Sequence, residues 1–462
     1  MPFTVIVLPF AATLFLVLIE ALFPAEKYRW SYKVAVTIAV AGLVASTVMV
    51  WIENPTNADN AFFFTPIAQL FLTFLFILAS ISLLVAYLTD NLKSGRYAPV
   101  TLTVCGTINA ALFINNVFVV TLCFVAAEFF SIISVVDVGA EDEERFVRVV
   151  KSAVRYLIVT VLFGLLLFVA QVFLERVRLD PQQIGLIKVI VALAITGFAL
   201  RFGVFPFNLW LPQVIEDAPA LASWLVLGLI NGAAVIFLVD FLQQNPTLLL
   251  NNTSQTLPVM ALGMSGAVLS GLFGMAQSSF GKMLAYTGSG NLSLVLFGLA
   301  TPHTTGLRGA VFEAANFALA QLLIFTSLAV IYYCNYERMM TGLSGLGRHM
   351  PVATVGLSFG MLALAGAPLI SGFPGKYLIL QSAAQEGIGW ALLGGLAITL
   401  WLLAYLRFFH NQFMGRGIPG LKTKAEPMGT SAIILLLIAV MIFFGIWSAL
   451  PLDWLGSALK AS

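Results

Sequence analysis

"RFGVFPFNLWLPQVIEDAP", residues 201–219, combines features that do not ordinarily sit together in a membrane span. Arg201 closes a long hydrophobic run, and Pro206 and Pro212 follow inside a segment that is still largely apolar. Proline leaves a carbonyl without its helical donor and bends the chain. In hydrocarbon such an orphaned backbone group costs several kcal/mol, so a break is tolerated only where protein or water meets it. A charged side chain needs the same surroundings. Break and charge together imply a hydrated, protein-lined interior. The pattern occurs twice: "PFNLWLP" at 206–212 and "PLISGFP" at 368–374 are both P-x5-P, 162 residues apart (206 to 368, 212 to 374). Arg201 stands before the first and Lys376 after the second. Interrupted apolar segments in corresponding positions of two halves point to an inverted-repeat transporter fold.

Composition agrees. The chain has 462 residues, 60% hydrophobic and 10% charged, with a mean hydropathy of +0.98. Soluble domains carry about a quarter charged residues, so this is a polytopic membrane protein without room for a separate soluble core. A net charge of +2 provides no basic field for nucleic acid. Cys105, Cys123 and Cys334 stand far apart with no CxxC, which argues against an iron–sulfur or zinc site in this chain. His303, His349 and His410 have no ligand-spaced partners, which argues against haem. No cofactor is expected in this chain. The N-terminal run lacks a basic leader and is expected to be the first span.

Taking about 20 apolar residues per span, the candidates are 3–23, 33–52, 63–89, 97–115, 117–138, 152–174, 183–201 continuing brokenly to 212, 220–243, 257–277, 282–300, 306–333, 352–386 with a break, 387–412 and 429–449. An even count of fourteen puts both termini on one side. Lys27, Arg29 and Lys33, then Lys93 and Arg96, then Arg145, Arg148 and Lys151, then Arg338 and Arg348, then Arg416, Lys422 and Lys424 all fall on one face under alternation. The other face holds Glu53, Asp59 and the uncharged "QQNPTLLLNNTSQT" of 243–256, with Arg176 and Arg178 as exceptions. Cytoplasmic loops are rich in Lys and Arg, so both termini are expected on the periplasmic or equivalent side of an inner (plasma) or thylakoid membrane. "GAEDEERFVRVVKSAVRY", 139–156, has helically spaced charges and reads as the solvated, inward-facing start of the sixth span rather than a partner-binding helix.

Few ionisable residues fall inside spans, and such residues are functional candidates by default. Glu128, in "CFVAAEFFSIISV", lies mid-span, about 15 Å from either end. Glu313, in "GAVFEAANFALAQLL", lies about two turns into its helix with Asn316 and Gln321 on nearly the same face. Arg201 and Lys376 flank the breaks. Asp240 and Arg407 near span ends read as snorkelling side chains, and Lys282 as interfacial.

These motifs resemble a known family. "RFGVFPFNLWLPQVIEDAP" is similar to the seventh helix of the antiporter-like subunits of respiratory complex I, Mrp-type antiporters and related membrane hydrogenases. "GKMLAYTGSGNLSLVLFGL" (281–299), "FEAANFALAQLLIF" (312–325) and "LGRHMPVATVGLSFGMLALAGAPLISGFPGKYLIL" (346–380) resemble its tenth, eleventh and twelfth helices. The resemblance covers roughly 97–390 and implies an all-α fold of about 14 transmembrane helices in two inverted five-helix repeats with two broken helices. The corresponding division is 1–96 for the N-terminal helices, 97–243 and 257–412 for the repeats, and 413–462 for the C-terminal helix and tail. It places Glu128 on the family's fifth-helix glutamate, Arg201 on the seventh-helix lysine that pairs with it, and Lys376 on the twelfth-helix residue that ends a proton relay. The chain departs from the pattern at Gly232 (beside Asn231), Asn291, Phe317 and Gln321, where the family has lysine or histidine.

The resemblance therefore implies a proton path through Glu128, Arg201, Glu313 and Lys376, with Asn231, Asn291, Asn316 and Gln321 able to hold water. The chain would be a subunit of a quinone-linked, proton-translocating oxidoreductase and not catalytic alone. Its partners would be the lipid bilayer and other membrane subunits, antiporter-like ones included. Two alternatives stay open: a cation/proton antiporter or inorganic-carbon-uptake membrane subunit, and a non-conducting structural subunit that has lost the central titratable groups.

Overall fold

A computed structural model describes residues 3–23, 29–52, 65–89, 96–114, 116–137, 143–179, 185–246, 248, 253–335, 347, 349–414 and 424–461. These residues form helices and connecting turns, with no strand among them. In chain order the helices are α1 (Phe3–Leu22), α2 (Arg29–Ile52), α3 (Pro66–Thr89), α4 (Tyr97–Phe113), α5 (Val117–Val136), α6 (Glu143–Leu179) and α7 (Leu186–Phe202). After a break come α8 (Leu211–Asp217) and α9 (Ala220–Gln244), then α10 (Thr253–Ala276), α11 (Phe280–Ala300) and α12 (Thr304–Asn335). The second broken pair is α13 (Pro351–Leu364) and α14 (Gly372–Glu386), followed by α15 (Ile388–Phe413), α16 (Met428–Ile446) and α17 (Ala449–Ala461).

Among the described residues eleven helices are long and apolar enough to cross a membrane. Three shorter apolar ones, Ile6–Leu22, Tyr97–Phe113 and Pro351–Leu364, lie at the first, fourth and twelfth expected spans. The charged stretch before residue 152 is not a separate loop: α6 begins at Glu143 and continues for 37 residues, because its charges sit at helical spacing on an exposed face. Helix α17 lies beyond the last expected span and packs against α12 and α3. Many orientation-setting residues lie outside the described residues, among them Lys27, Lys93, Arg338, Arg348, Arg416 and Lys422, and on the other side Glu53 and Asp59.

Three helices form the centre. The most apolar window of α9 is wholly buried, as is 94% of that of both α11 and α12. Without water to leave, helices in a bilayer associate through close packing and interhelical hydrogen bonds; α11 and α12 accordingly carry runs of small and polar residues such as "TGSGN". The α9 helix is not uniform. Leu225–Ile230 winds as a π-helix, a local widening that recurs at functional sites.

Both breaks are built alike. Helix α7 stops at Phe202, Gly203 turns left-handed (φ 65°), and a cis Phe205–Pro206 bond and a short 3₁₀ turn lead into α8. Helix α13 stops at Leu364 and Gly366 turns left-handed (φ 72°) before α14. In each, the glycine N–H reaches back three residues (Gly203 to Leu200, Gly366 to Ala363) and the next N–H five (Val204 to Ala199, Ala367 to Leu362). This is the Schellman pattern, which satisfies carbonyls that an ending helix would orphan. Pro206 and Pro368 lie inside the breaks. Pro212 and Pro374 instead sit in the first turns of α8 and α14, where a missing N–H deprives no helical carbonyl.

Candidate functional site: a buried polar axis

The first cluster lies where α5, α6 and α7 meet. Asn116 caps α5, accepting from the N–H groups of Phe118 (3.1 Å) and Val119 (3.4 Å). Three turns on, Glu128 is fully buried. Its Oε1 pairs with Nε of Arg201, also fully buried in the last turn of α7. Thr160 of α6 donates to Glu128 Oε2 at 2.6 Å. Burying two charges is costly unless their remaining atoms are also met. Arg201 Nη2 reaches the Val226 carbonyl in the π-helix at 3.4 Å, and its guanidinium carbon lies 5.9 Å from the ring centres of both Tyr156 and Trp210. Those rings stack on each other at 5.2 Å, an electron-rich wall for the cation.

This arrangement explains why the helix breaks beside a charge. Trp210, carried round by the break, donates its indole N–H to the Leu200 carbonyl at 3.1 Å. Ser289 of α11 donates to the Gly203 carbonyl. The backbone opened by the break is met by protein groups, and the same turn brings an aromatic face to Arg201.

The second cluster lies between α12 and α14. Glu313 is fully buried and its Oε1 pairs with Nζ of Lys376, itself 2% exposed. Asn316, one turn after Glu313, donates to Glu313 Oε1 at 3.1 Å and to the Ala363 carbonyl at the end of α13 at 3.5 Å. Ser371, at the start of α14, donates to Asn316 Oδ1 at 2.7 Å. One amide thus ties the acid to the broken helix. Lys376 passes directly over the turn: a Cβ on Gly366 would lie 2.6 Å from its Cδ.

The three central helices carry the amides Asn231 of α9, Asn291 of α11 and Gln321 of α12, all fully buried. Asn291 donates to the Thr287 carbonyl at 2.9 Å. Its Oδ1, and both polar atoms of Asn231 and of Gln321, have no hydrogen-bond partner among the described residues. At two of the four positions where the sequence resemblance leads one to expect a titratable group, the chain is packed with apolar atoms instead. A Cβ on Gly232 would face Leu75, Phe71 and Ala318, and Phe317 is fully buried.

The sequence singled out Glu128, Arg201, Glu313 and Lys376, and the structure joins them as two pairs. Thr160, Tyr156, Trp210 and Ser371 went unnoticed, and only their place in interrupted or polar-tinged spans could have flagged them. Lys282 pairs with Glu216 at 2.8 Å, both about a third exposed. Arg407 is exposed and donates to the Met275 carbonyl. Asp240 does not snorkel: it is turned inward, 9% exposed, because Thr65 of the turn before α3 donates to its Oδ1 at 3.0 Å.

A family profile described as "NADH:quinone oxidoreductase/Mrp antiporter, TM" matches residues 120–401. The match covers more than half of the chain, and the chain belongs to this family. Subunit M of the F(420)H(2) dehydrogenase of Methanosarcina mazei is 31% identical over 200 residues, covering 42% of this chain and 39% of that protein. Subunit N 2 of the NADH-quinone oxidoreductase of Acidobacterium capsulatum is 26% identical over 370 residues, covering 75% and 74%. The chain thus spans well under half of the first relative and about three quarters of the second. Among solved structures, a chain of the Mrp complex from Dietzia sp. DQ12-45-1b superposes with a TM-score of 0.81 at 16% identity, covering 99% of this chain and 97% of that one. That likeness is one of fold.

Proposed function

We propose that this chain is a proton-translocating, antiporter-like subunit of a complex I-related membrane assembly. The observation that carries the reading is the pairing. Two acid–base pairs are buried away from water, each is seated at a broken helix, and the central helices α9, α11 and α12 carry buried amides with unpartnered polar atoms. Buried polar groups in proteins are normally satisfied, and polar interior sites of sufficient size hold ordered water. On this reading Asn231, Asn291 and Gln321 carry water between the pairs. Arginine does not deprotonate in proteins, so Arg201 biases Glu128 electrostatically, while Glu313 and Lys376 exchange protons. The named relatives are subunits and the Dietzia structure is a complex, which supports other membrane subunits, antiporter-like ones included, as partners. The redox chemistry belongs to those partners. The basic loops support an orientation with both termini on the outer side.

A second reading, a structural subunit that anchors partners without conducting, is favoured by the packed Gly232 and Phe317 positions. Lys376→Ala in the assembled complex separates the two. Proton translocation per turnover should fall to the level contributed by other subunits, with assembly and redox turnover retained. Unchanged translocation would establish the structural reading instead.

A further inference from the structure

Helices α12 and α14 pack along one seam that starts at the Glu313–Lys376 pair. A Cβ on Gly375 would lie 3.0 Å from Glu313 Oε2, and a Cβ on Gly309 would lie 2.9 Å from the Gly375 carbonyl and the Ile379 N–H nitrogen. One turn further, a Cβ on Gly306 would lie 2.7 Å from Ser382 Oγ. Ser382 in turn donates to Thr301 Oγ1 at 2.8 Å, both residues being buried. The seam ends at a second acid–base pair. His303 Nε2, in the turn between α11 and α12, lies 2.8 Å from Oε1 of Glu386, the last residue of α14.

This outer pair differs from the inner one in exposure. The His303 and Glu386 side chains are 33% and 29% exposed, against 3% and 0% for Lys376 and Glu313. Ten residues of α14 separate Lys376 from Glu386, about 15 Å of helix. One helix–helix contact therefore has a dry acid–base pair at its inner end and a wetted one at the surface, with a hydroxyl pair between. The other broken helix ends in the same way on the opposite face. Its second half, α8, finishes at Glu216–Asp217, and Glu216 pairs with Lys282 at the far end of α11 from His303. Ser152 donates to Asp217 there.

We propose that the His303–Glu386 pair is the mouth through which protons pass between Lys376 and the outer water, a role that rests on the proton-translocation reading above. An N–H bond breaks at the Lys376 ammonium. The proton crosses the Thr301–Ser382 hydroxyls and intervening water, and an N–H bond forms on the imidazole. Glu386 stabilises the resulting imidazolium, which then releases the proton to bulk water and returns to neutral imidazole. Histidine suits the position because its two ring nitrogens can take up a proton on one side and give it up on the other. Among the described residues, the charged side chains on the elements meeting here, other than the inner Glu313–Lys376 pair and Lys282 at the far end of α11, are Glu386 of α14, Arg308 of α12 and Asp453 of α17. Arg308 lies against Gly456 of α17, and the acid facing His303 is Glu386.

The test uses the assembled complex in proteoliposomes, with the pH on the outer face varied. His303→Gln should leave assembly and redox turnover intact, lower proton release by at least about tenfold, and alter the dependence of the remaining release on outer pH. Glu386→Gln should do the same and Glu386→Asp should restore most of the rate. A merely structural pair would change stability but leave the pH profile of the remaining activity where it was. If His303→Gln fails to assemble, Glu386→Gln carries the same measurement. Wild-type release and an unaltered outer-pH profile in these variants, with Lys376→Ala still defective, would overturn the proposal and leave the translocation reading standing. Normal release in Lys376→Ala would overturn both.

Discussion

At the scale of single residues, Glu128 is held by two unlike partners, and the difference is measurable. Removing one member of a buried ion pair leaves the other charged and unpaired, at a cost of roughly 3–5 kcal/mol. Losing one hydroxyl donor to a buried carboxylate that keeps its counter-charge costs about 1.5–3 kcal/mol. Glu128→Gln should therefore lower the thermal stability of the purified complex clearly more than Thr160→Val, which removes only the 2.6 Å hydroxyl contact. Equal effects would mean that the guanidinium draws its stabilisation from Tyr156, Trp210 and the Val226 carbonyl rather than from the carboxylate. Glu128 and Arg201 were legible in sequence because a charge inside an apolar run stands out. Thr160 was not, since a lone threonine in a span is ordinary. Glu313 and Lys376 were visible singly, but 63 residues of chain and a helix break lie between them, and only the fold shows that the break returns one to the other.

At the scale of elements, the two Schellman turns make the same demand of their glycines. A residue with a Cβ in the left-handed region costs about 1–2 kcal/mol, so Gly203→Ala and Gly366→Ala should both destabilise. The second should be worse, and should also impair translocation. Its new methyl would meet Lys376 Cδ at 2.6 Å, whereas at Gly203 the nearest atom is Leu211 Cδ2 at 3.2 Å. Thermal unfolding and proton release measured on both variants check this, and equal release in the two would show that Lys376 accommodates the methyl freely. Proline spacing located the breaks within a few residues because proline chemistry is local. It could not distinguish Pro206 and Pro368, inside the turns, from Pro212 and Pro374, which merely open the next helices. The π-helix at Leu225–Ile230 left no decisive local mark, since Leu, Val and Ile fill any span and its one glycine, Gly228, is ordinary in membrane helices. The His303–Glu386 contact was equally hidden, because it joins two chain turns that only tertiary packing brings together.

At the scale of the whole molecule, the buried amides decide between conduction and scaffolding. An asparagine with no protein partner contributes little to stability, and its replacement by an apolar residue of similar size is near neutral or stabilising. Asn231→Leu and Gln321→Leu should thus leave thermal stability unchanged or raised while reducing proton translocation per turnover. Lost stability with intact translocation would identify the amides as structural. The two acid–base pairs have a further consequence. Glu313 and Lys376 together carry no net charge whether the shared proton sits on oxygen or nitrogen, and Glu128 with Arg201 is neutral as long as the carboxylate stays ionised. At rest this two-pair centre is therefore electrically silent. Any proton that enters without another leaving turns it into a monovalent cation inside the membrane, subject to the transmembrane field at about 2.3 kcal/mol per 100 mV for a full crossing. On the translocation reading, the step that admits a proton is then the voltage-sensitive one, and the membrane potential would itself regulate this subunit.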